Sequence, residues 1–268
     1  MTGTRKPVVA GTFYPARRDT LTDTVAACIG EREPAKAIGG IVPHAGYIYS
    51  GPTCGAFFAA VEVPAQVILL GPKHTYAGAD YALWSGGAWE TPLGEVTVDE
   101  ELASAILERC PGVEPDESAH FEEHSLEVIL PFIQYVNPDA KVVPIAFNAM
   151  DSGTLMGFGE GIATVISDRN IDALIVVSSD MSHYVSAAEA ERLDRMALAG
   201  VEKLDATQLV DVVRRNRISM CGVWPAAVGV VAARALGAER GEVIKYTNSG
   251  EASGDYNQVV GYAAVKFD

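Results

Sequence analysis

The chain is poor in cysteine, histidine and positive charge, and each shortage excludes something. Four cysteines in 268 residues (Cys28, Cys54, Cys110 and Cys221) form no C-x-x-C pair. They are sparse for this length, and the expectation is free thiols in a reducing, cytoplasmic setting. Lysine and arginine number 20 against 35 acidic residues, a formal charge of −15, so nucleic acid and anionic membrane are not expected partners. The longest apolar stretch, from Gly222 to Ala233, falls short of the about 20 residues a bilayer span needs. Arg17 and Arg18 interrupt the amino-terminal region, so no signal-peptide core is expected there. There is no G-x-G-x-x-G or P-loop pattern in a nucleotide-binding setting. Repeats, low-complexity tracts and linkers are also missing, which predicts one domain over residues 1–268. With 49% hydrophobic and 21% charged residues, the composition is that of a globular domain and not of a disordered chain, a collagen or a coiled coil.

Apolar β-branched runs alternate with helical patterns. Residues 38–42, 66–70, 141–147 and 172–177 read as buried strands, and residues 18–30, 51–61, 99–109, 125–136, 151–167, 186–203, 207–215 and 223–236 as helices. Residues 81–98 read as a hairpin excursion with Gly and Pro turns, and the segment from Glu242 to Asp268 as two strands around the turn SGEASGDYNQ. This alternation predicts an α/β fold: a mainly parallel or mixed central sheet with helices on both faces.

The five histidines are His44, His74, His120, His124 and His183. Three of them follow predicted strands: His44 in IVPHAGY, His74 in ILLGPKHTY, and His183 in IVVSSDMSHY with Asp180 three residues before it. In a parallel sheet the carboxyl ends of the strands share one edge, where open α/β folds bind their ligands. Residues far apart in sequence therefore converge. His124 stands before the helical run SLEVILPFIQYV, beside Glu122, Glu123 and Glu127. Imidazoles in this arrangement suit Fe, Zn, Cu or Ni, and two of them plus one anionic ligand leave coordination positions open. Spacing leaves the third ligand undecided between Asp180, Glu122, Glu123 and a cysteine. Cys221, in RISMCGVWPAAVG, precedes an apolar helix, a position expected to lower its thiol pKa. Tyr47 and Tyr49 are candidates for a pocket wall or for core, Lys73 for a substrate-attracting cation or a solvated side chain, and the turn 249–256 for a cap over the pocket or a plain strand connection.

Seven segments, PVVAGTFYP (7–15), IVPHAGYIYSGPTCG (41–55), LLGPKHT (69–75), EEHSLEVILPF (122–132), VSSDMSHY (177–184), SMCGVWPA (219–226) and YTNSGEASGDYNQVVGYAAV (246–265), together resemble the Memo family, whose prokaryotic members are called AmmeMemoRadiSam system protein B. The resemblance implies a fold similar to the class III extradiol dioxygenases, which use non-haem Fe(II). It implies a metal pocket of His44, His74 and Cys221, so it selects the cysteine that spacing alone left open. It also matches Asp180 and His183 to the SSD-x-x-H motif and His124 to a further pocket histidine. In that reading His183 takes a proton, Asp180 orients a histidine, and His124 donates a hydrogen bond. Fe(II) is the expected cofactor, with Cu or Zn as alternatives because thiolate is a soft ligand. The implied function is a metal-dependent redox or dioxygenase-like enzyme on a small, unidentified substrate. A peptide- or protein-binding module and a zinc-dependent hydrolase are the competing readings. An AMMECR-type protein and a radical-SAM enzyme are the partners the resemblance suggests.

Overall fold

The computed structural model describes residues 3–110 and 112–268. Four strands form the parallel heart of the sheet, in the spatial order Gly39–Val42, Ala173–Ser178, Gln66–Pro72 and Lys141–Phe147. They are the four strands predicted from the β-branched runs: 141–147 coincides with its prediction and the other three differ by one or two residues at an end. The strand Val259–Phe267 joins antiparallel beside Gly39–Val42, and carries Gly241–Asn248 and the short His183–Val185 along its length. Tyr81–Leu83 joins antiparallel on the far side and pairs with Glu114–Pro115. The result is a nine-stranded mixed sheet among the described residues. The 81–98 excursion divides: Tyr81–Leu83 enters this sheet, while Ala88–Thr91 and Gly94–Thr97 form the hairpin, extended by Thr4–Arg5.

Strand alternation sorts the core into two layers. Ile41, Ile68, Ile145, Ile175 and Val177 face one side, covered by the helices Ser152–Arg169 and Val223–Ala235. Val42, Val67, Leu69 and Val176 face the other, under Arg18–Ile29, Tyr47–Ala60 and Leu130–Val136. Val223–Ala235 is apolar almost all round because it is sandwiched between the sheet and its neighbouring helices.

Two helix starts depart from the sequence reading. Helix Tyr47–Ala60 begins four residues before the expected 51, with Pro52 inside it. The amide that Pro52 lacks would have served the carbonyl of Ile48, an exposed residue, so the lost bond falls on a solvent-facing turn, where the helix tolerates the ring. The expected helix 125–136 opens as a 3-10 turn, Glu127–Ile129, before Leu130–Val136. Pro131 offers no amide to Glu127, and it sits instead in the first α turn where none is needed.

A buried ion pair ties the amino-terminal strand to the loop that carries His124. Arg5 Nη1 lies 2.7 Å from Glu127 Oε2, and both side chains are sealed from solvent. Arg5 also donates to the carbonyls of His120 and Glu123, and its guanidinium lies 4.2 Å from the Trp89 ring centre. Glu127 accepts from the amides of Val8 and Val9 and from the Tyr14 hydroxyl. Removing one partner strands a buried charge, at a cost of about 3–5 kcal/mol. Arg5→Met is expected to lower the urea midpoint of unfolding accordingly, while Lys6→Met, which breaks only the exposed pair with Glu90, leaves it unchanged.

His120 is fully buried between Trp84 and Trp89, with Nε2 on the Ala82 carbonyl. Burial lowers its pKa to about 4, so the unfolded chain binds this proton more readily than the folded one between about pH 6.5 and pH 4. Stability therefore falls with falling pH across that window. His120→Gln is expected to flatten the pH dependence of the unfolding free energy there relative to the unaltered protein.

Candidate metal centre and active site

The parallel strands deliver three of the predicted residues to one place. Strand register sets Val42 beside Ser178 and Leu70 beside Val177, so the chain leaves the sheet at nearly one height before His44, His74 and Asp180. His44, on the loop leading into helix Tyr47–Ala60, is buried and held at both ends. Its amide donates to Asp180 Oδ1 at 2.8 Å, and its Nδ1 lies 2.6 Å from Ser178 Oγ. The Ser178 hydroxyl spends its only proton on the Ser125 carbonyl, 2.7 Å away. It must therefore accept from His44 Nδ1–H, which leaves a lone pair on Nε2. That nitrogen faces Cys221 Sγ at 3.4 Å.

His74 is fixed in the same sense by a different group. Its Nδ1 lies 2.9 Å from Glu123 Oε1, and its amide donates to Glu123 Oε2. Glu123 is fully buried and also accepts from the Ser125 amide. Burial opposes its charge, but the His74 side chain and the two amides outweigh it and hold the carboxyl at about 2. Burial likewise works against the charge on His74, and Glu123 more than offsets it, raising that pKa. For His44, burial and the nearby His124 and His74 push the pKa well down, which keeps the imidazole neutral as a ligand requires.

Cys221 is brought against His44 by its neighbour in sequence. A Cβ at position 222 would lie 2.5 Å from Ser179 Cβ and 2.6 Å from the Ser178 carbonyl oxygen. Only glycine allows the start of helix Val223–Ala235 to press so closely on the strand end, where the Gly222 amide donates to Ser179 Oγ at 3.0 Å. Cys221 Sγ accepts from the Asp180 amide at 3.2 Å. The expectation of a lowered thiol pKa does not hold: burial, with the Asp180 carboxylate beside it, raises it. Desolvation outweighs the helix end.

One candidate ligand atom from each of His44, His74 and Cys221 lies within 4.8 Å of the others. His74, Glu123 and His124 form a second such group, but the Glu123 oxygens are already occupied by His74 and Ser125. Glu123 is thus an orienting carboxylate behind His74 and not an open ligand, and Glu122 is exposed. His124 stacks on His74 with ring centres 4.9 Å apart and meets the Phe13 edge at 4.9 Å. Burial lowers its pKa. His183 donates Nδ1–H to the Ser219 carbonyl at 2.9 Å, which leaves Nε2 as its acceptor. Asp180, raised to about 6 by burial, binds the His44 amide and not an imidazole ring. The orienting role expected of it falls to Ser178, Glu123 and the Ser219 carbonyl.

His44, His74, His124, Asp180 and His183 all line one cleft of about 570 Å³. Tyr49 lines it too, whereas Tyr47 is core, its hydroxyl on the Val128 carbonyl. The 249–256 turn contributes Ser249, Ser253 and Asp255 to the wall. Lys73 turns away onto the carbonyls of Gly78 and Ala79. Sequence reading missed Tyr184, where the pairing of His183–Val185 with Val259–Val260 shifts register. The bulged Tyr184 takes a φ of 58°, a conformation that costs a bulky residue about 1–3 kcal/mol and turns its ring to the cleft mouth.

Among the described residues, no helix is long and apolar enough to cross a membrane. The family model described as Memo-like protein matches residues 5–266. A MEMO1 family protein of Aquifex aeolicus is 45% identical over 268 residues, covering 98% of each chain. MEMO1 family proteins of Methanopyrus kandleri (38% identical, 98% of each chain) and Methanosarcina acetivorans (39% identical, 97% of this chain and 98% of that one) are similar over comparable spans. Among solved structures, an uncharacterized protein of Escherichia coli K12 is similar at a TM-score of 0.49, with 13% identity over 76% of this chain and 87% of that one. Matched by the family model and by these relatives along nearly its whole length, this chain belongs to the Memo family.

Proposed function

We propose that the chain binds one transition-metal ion through His44 Nε2, His74 Nε2 and Cys221 Sγ, and acts as a non-haem iron or copper redox enzyme, dioxygenase-like, on a small substrate. The observation that carries this is the donor set itself. Two imidazoles have their Nδ1 atoms committed elsewhere, the remaining His44 nitrogen meets the Cys221 sulfur, and one nitrogen of each ring shares a cluster with that sulfur. A bound Fe(II) or copper ion would supply Lewis acidity and electron transfer at an open cleft.

The protein's own groups divide the remaining work. The Asp180 amide, on Cys221 Sγ at 3.2 Å, stabilises the thiolate that metal binding requires. Ser178 and Glu123 hold the two imidazoles in the ligating tautomer. His183 Nε2, with its partner nitrogen tied to Ser219, is the base that takes a proton from a substrate hydroxyl. His124, stacked on His74, is the group that donates a hydrogen bond to an oxygen in the cleft. The same donor set suits catalytic zinc with an open fourth position, so zinc-dependent hydrolysis is the second reading.

Elemental analysis of anaerobically purified protein separates these readings. About one iron or copper per chain, lost in both His44→Ala and Cys221→Ala, is the expected result, and oxygen uptake is then expected to depend on His183. Stoichiometric zinc favours hydrolysis. No retention of Fe(II), Cu(I) or Zn after reconstitution overturns the metal site and leaves a binding module.

Gly222→Ala tests the packing that sets the thiol. It retains all three donors yet forces the Cys221 loop off the Ser178–Ser179 strand end. Metal affinity is expected to fall about 10–100-fold, the range for disturbed supporting contacts, and Glu123→Gln is expected to act alike. Unchanged affinity in both variants would mean that neither contact positions a ligand.

A further inference from the structure

The helix Ala187–Glu202 turns an apolar stripe inward, and one position of that stripe carries a carboxyl group. Asp194 shares its buried face with Ala190, Leu193, Ala197, Leu198 and Val201, and is itself sealed from solvent. The arginines of the same helix are committed to other acids, Arg192 to Glu189 and Arg195 to Glu191. A leucine at 194 would pack there without the cost of burying a carboxyl group. What Asp194 makes instead is three hydrogen bonds. Its Oδ1 accepts from the Ser182 amide at 2.9 Å and from the Ser182 hydroxyl at 2.5 Å, and its Oδ2 accepts from the Tyr246 hydroxyl at 2.8 Å. The facing strand leaves room for it: a Cβ at position 261 would lie 2.1 Å from Asp194 Oδ2, so Val259–Phe267 carries glycine at the point of contact.

On the reading of His183 as the base of the cleft, we propose that Asp194 is a positioning residue for it, holding the Ser182–His183 segment so that the imidazole keeps one tautomer. His183 begins the short strand His183–Val185, whose pairing with Val259–Phe267 shifts register between those two residues. The regular ladder that would fix a strand residue is therefore interrupted where the imidazole stands. Other bonds replace it. On one side Asp194 takes both donors of Ser182, and the Gly261 amide donates to the Ser182 carbonyl at 2.8 Å. On the other side Ser219 accepts the His183 amide on its hydroxyl at 2.7 Å and Nδ1–H on its carbonyl at 2.9 Å. With Ser182 released, the backbone that brings Nδ1 to that carbonyl is no longer held, and the proton redistributes between the two ring nitrogens.

Tyr246 completes the arrangement from a separate element. Its hydroxyl, on the strand Gly241–Asn248, donates to the second Asp194 oxygen, and the Arg195 guanidinium lies 5.4 Å from its ring centre. The carboxyl group is thus oriented by one residue and orients another. Neither Asp194 nor Tyr246 is among the residues lining the cleft, so the effect of Asp194 on His183 passes through Ser182.

Long-range proton–nitrogen correlation spectra of the imidazoles, taken on the zinc-loaded full chain above neutral pH, read the tautomer of each histidine. The signals of His183 are identified by their loss in His183→Gln. His183 is expected to be protonated on Nδ1 in the unaltered chain. Asp194→Ala is expected to lose that state for the mixture of a free imidazole, with the His44 and His74 signals unmoved. Asp194→Asn, whose side-chain oxygen still accepts from Ser182, is expected to restore the Nδ1–H form. Leu198→Ala, on the same buried face but without a bond to Ser182, is expected to lower the melting temperature and leave the tautomer unchanged, which separates positioning from lost packing. Should Asp194→Ala not fold, Ser182→Ala removes one of the two bonds and is expected to shift the tautomer part-way. The proposal is overturned if a folded Asp194→Ala keeps the Nδ1–H form, if Ser182→Ala keeps it where Asp194→Ala does not fold, or if Leu198→Ala shifts the tautomer as far as Asp194→Ala. Oxygen uptake that survives His183→Gln, with the tautomer still dependent on Asp194, contradicts the role of His183 as base alone. A tautomer independent of Asp194 in a chain whose oxygen uptake needs His183 contradicts this inference alone.

Discussion

The site depends on one geometric constraint: three parallel strands end at one edge of the sheet at nearly one height. The registers that pair Val42 with Ser178 and Leu70 with Val177 are set by the alternation of side chains between two cores. A slip of one residue would turn Ile41, Ile68 and Ile175 away from the helices that cover them. Core packing therefore fixes where His44, His74 and Asp180 emerge, and the cost of moving any of them is the cost of misplacing a strand.

On that scaffold, the polar groups around His44, His74 and Cys221 are satisfied almost completely. Ser178 links His44 to the Ser125 carbonyl, and Glu123 links His74 to the Ser125 amide. Ser125 thus serves both imidazoles, one through each of its backbone groups. The loop that carries Ser125 is anchored in turn by the buried Arg5–Glu127 pair, so the amino-terminal strand braces the His44–His74–Cys221 cluster through Glu123. Cys221 comes from the opposite side of the sheet edge, pressed into place by Gly222. In a low-dielectric setting such a connected network holds orientation, because each unmade bond would leave a buried polar group unpaired.

Much of this was legible in the sequence. Four β-branched runs marked the parallel strands, and the histidines after three strands marked the edge where ligands gather. What stayed hidden depends on contacts between distant segments. Nothing about Ser178 as a strand residue announces that its hydroxyl would orient His44, 134 residues away. Glu123 was visible as an acid near His124, but only the fold shows that its oxygens serve His74 and Ser125 and leave none free. The thiol of Cys221 looked activated by its helix, and burial reversed that. The run HYV gave no sign of a bulge, since neither glycine nor asparagine marks the left-handed residue, so the aim of Tyr184 could not be read. The early start of helix Tyr47–Ala60 was masked by Pro52, whose lost hydrogen bond falls on an exposed turn.

X-ray absorption at the metal edge of the zinc-loaded chain tests the central claim most directly. Coordination by His44, His74 and Cys221 predicts one sulfur neighbour at about 2.3 Å together with imidazole nitrogens at about 2.0–2.1 Å, and loss of the sulfur shell in Cys221→Ser. A first shell of nitrogen and oxygen alone, unchanged by that substitution, would contradict it.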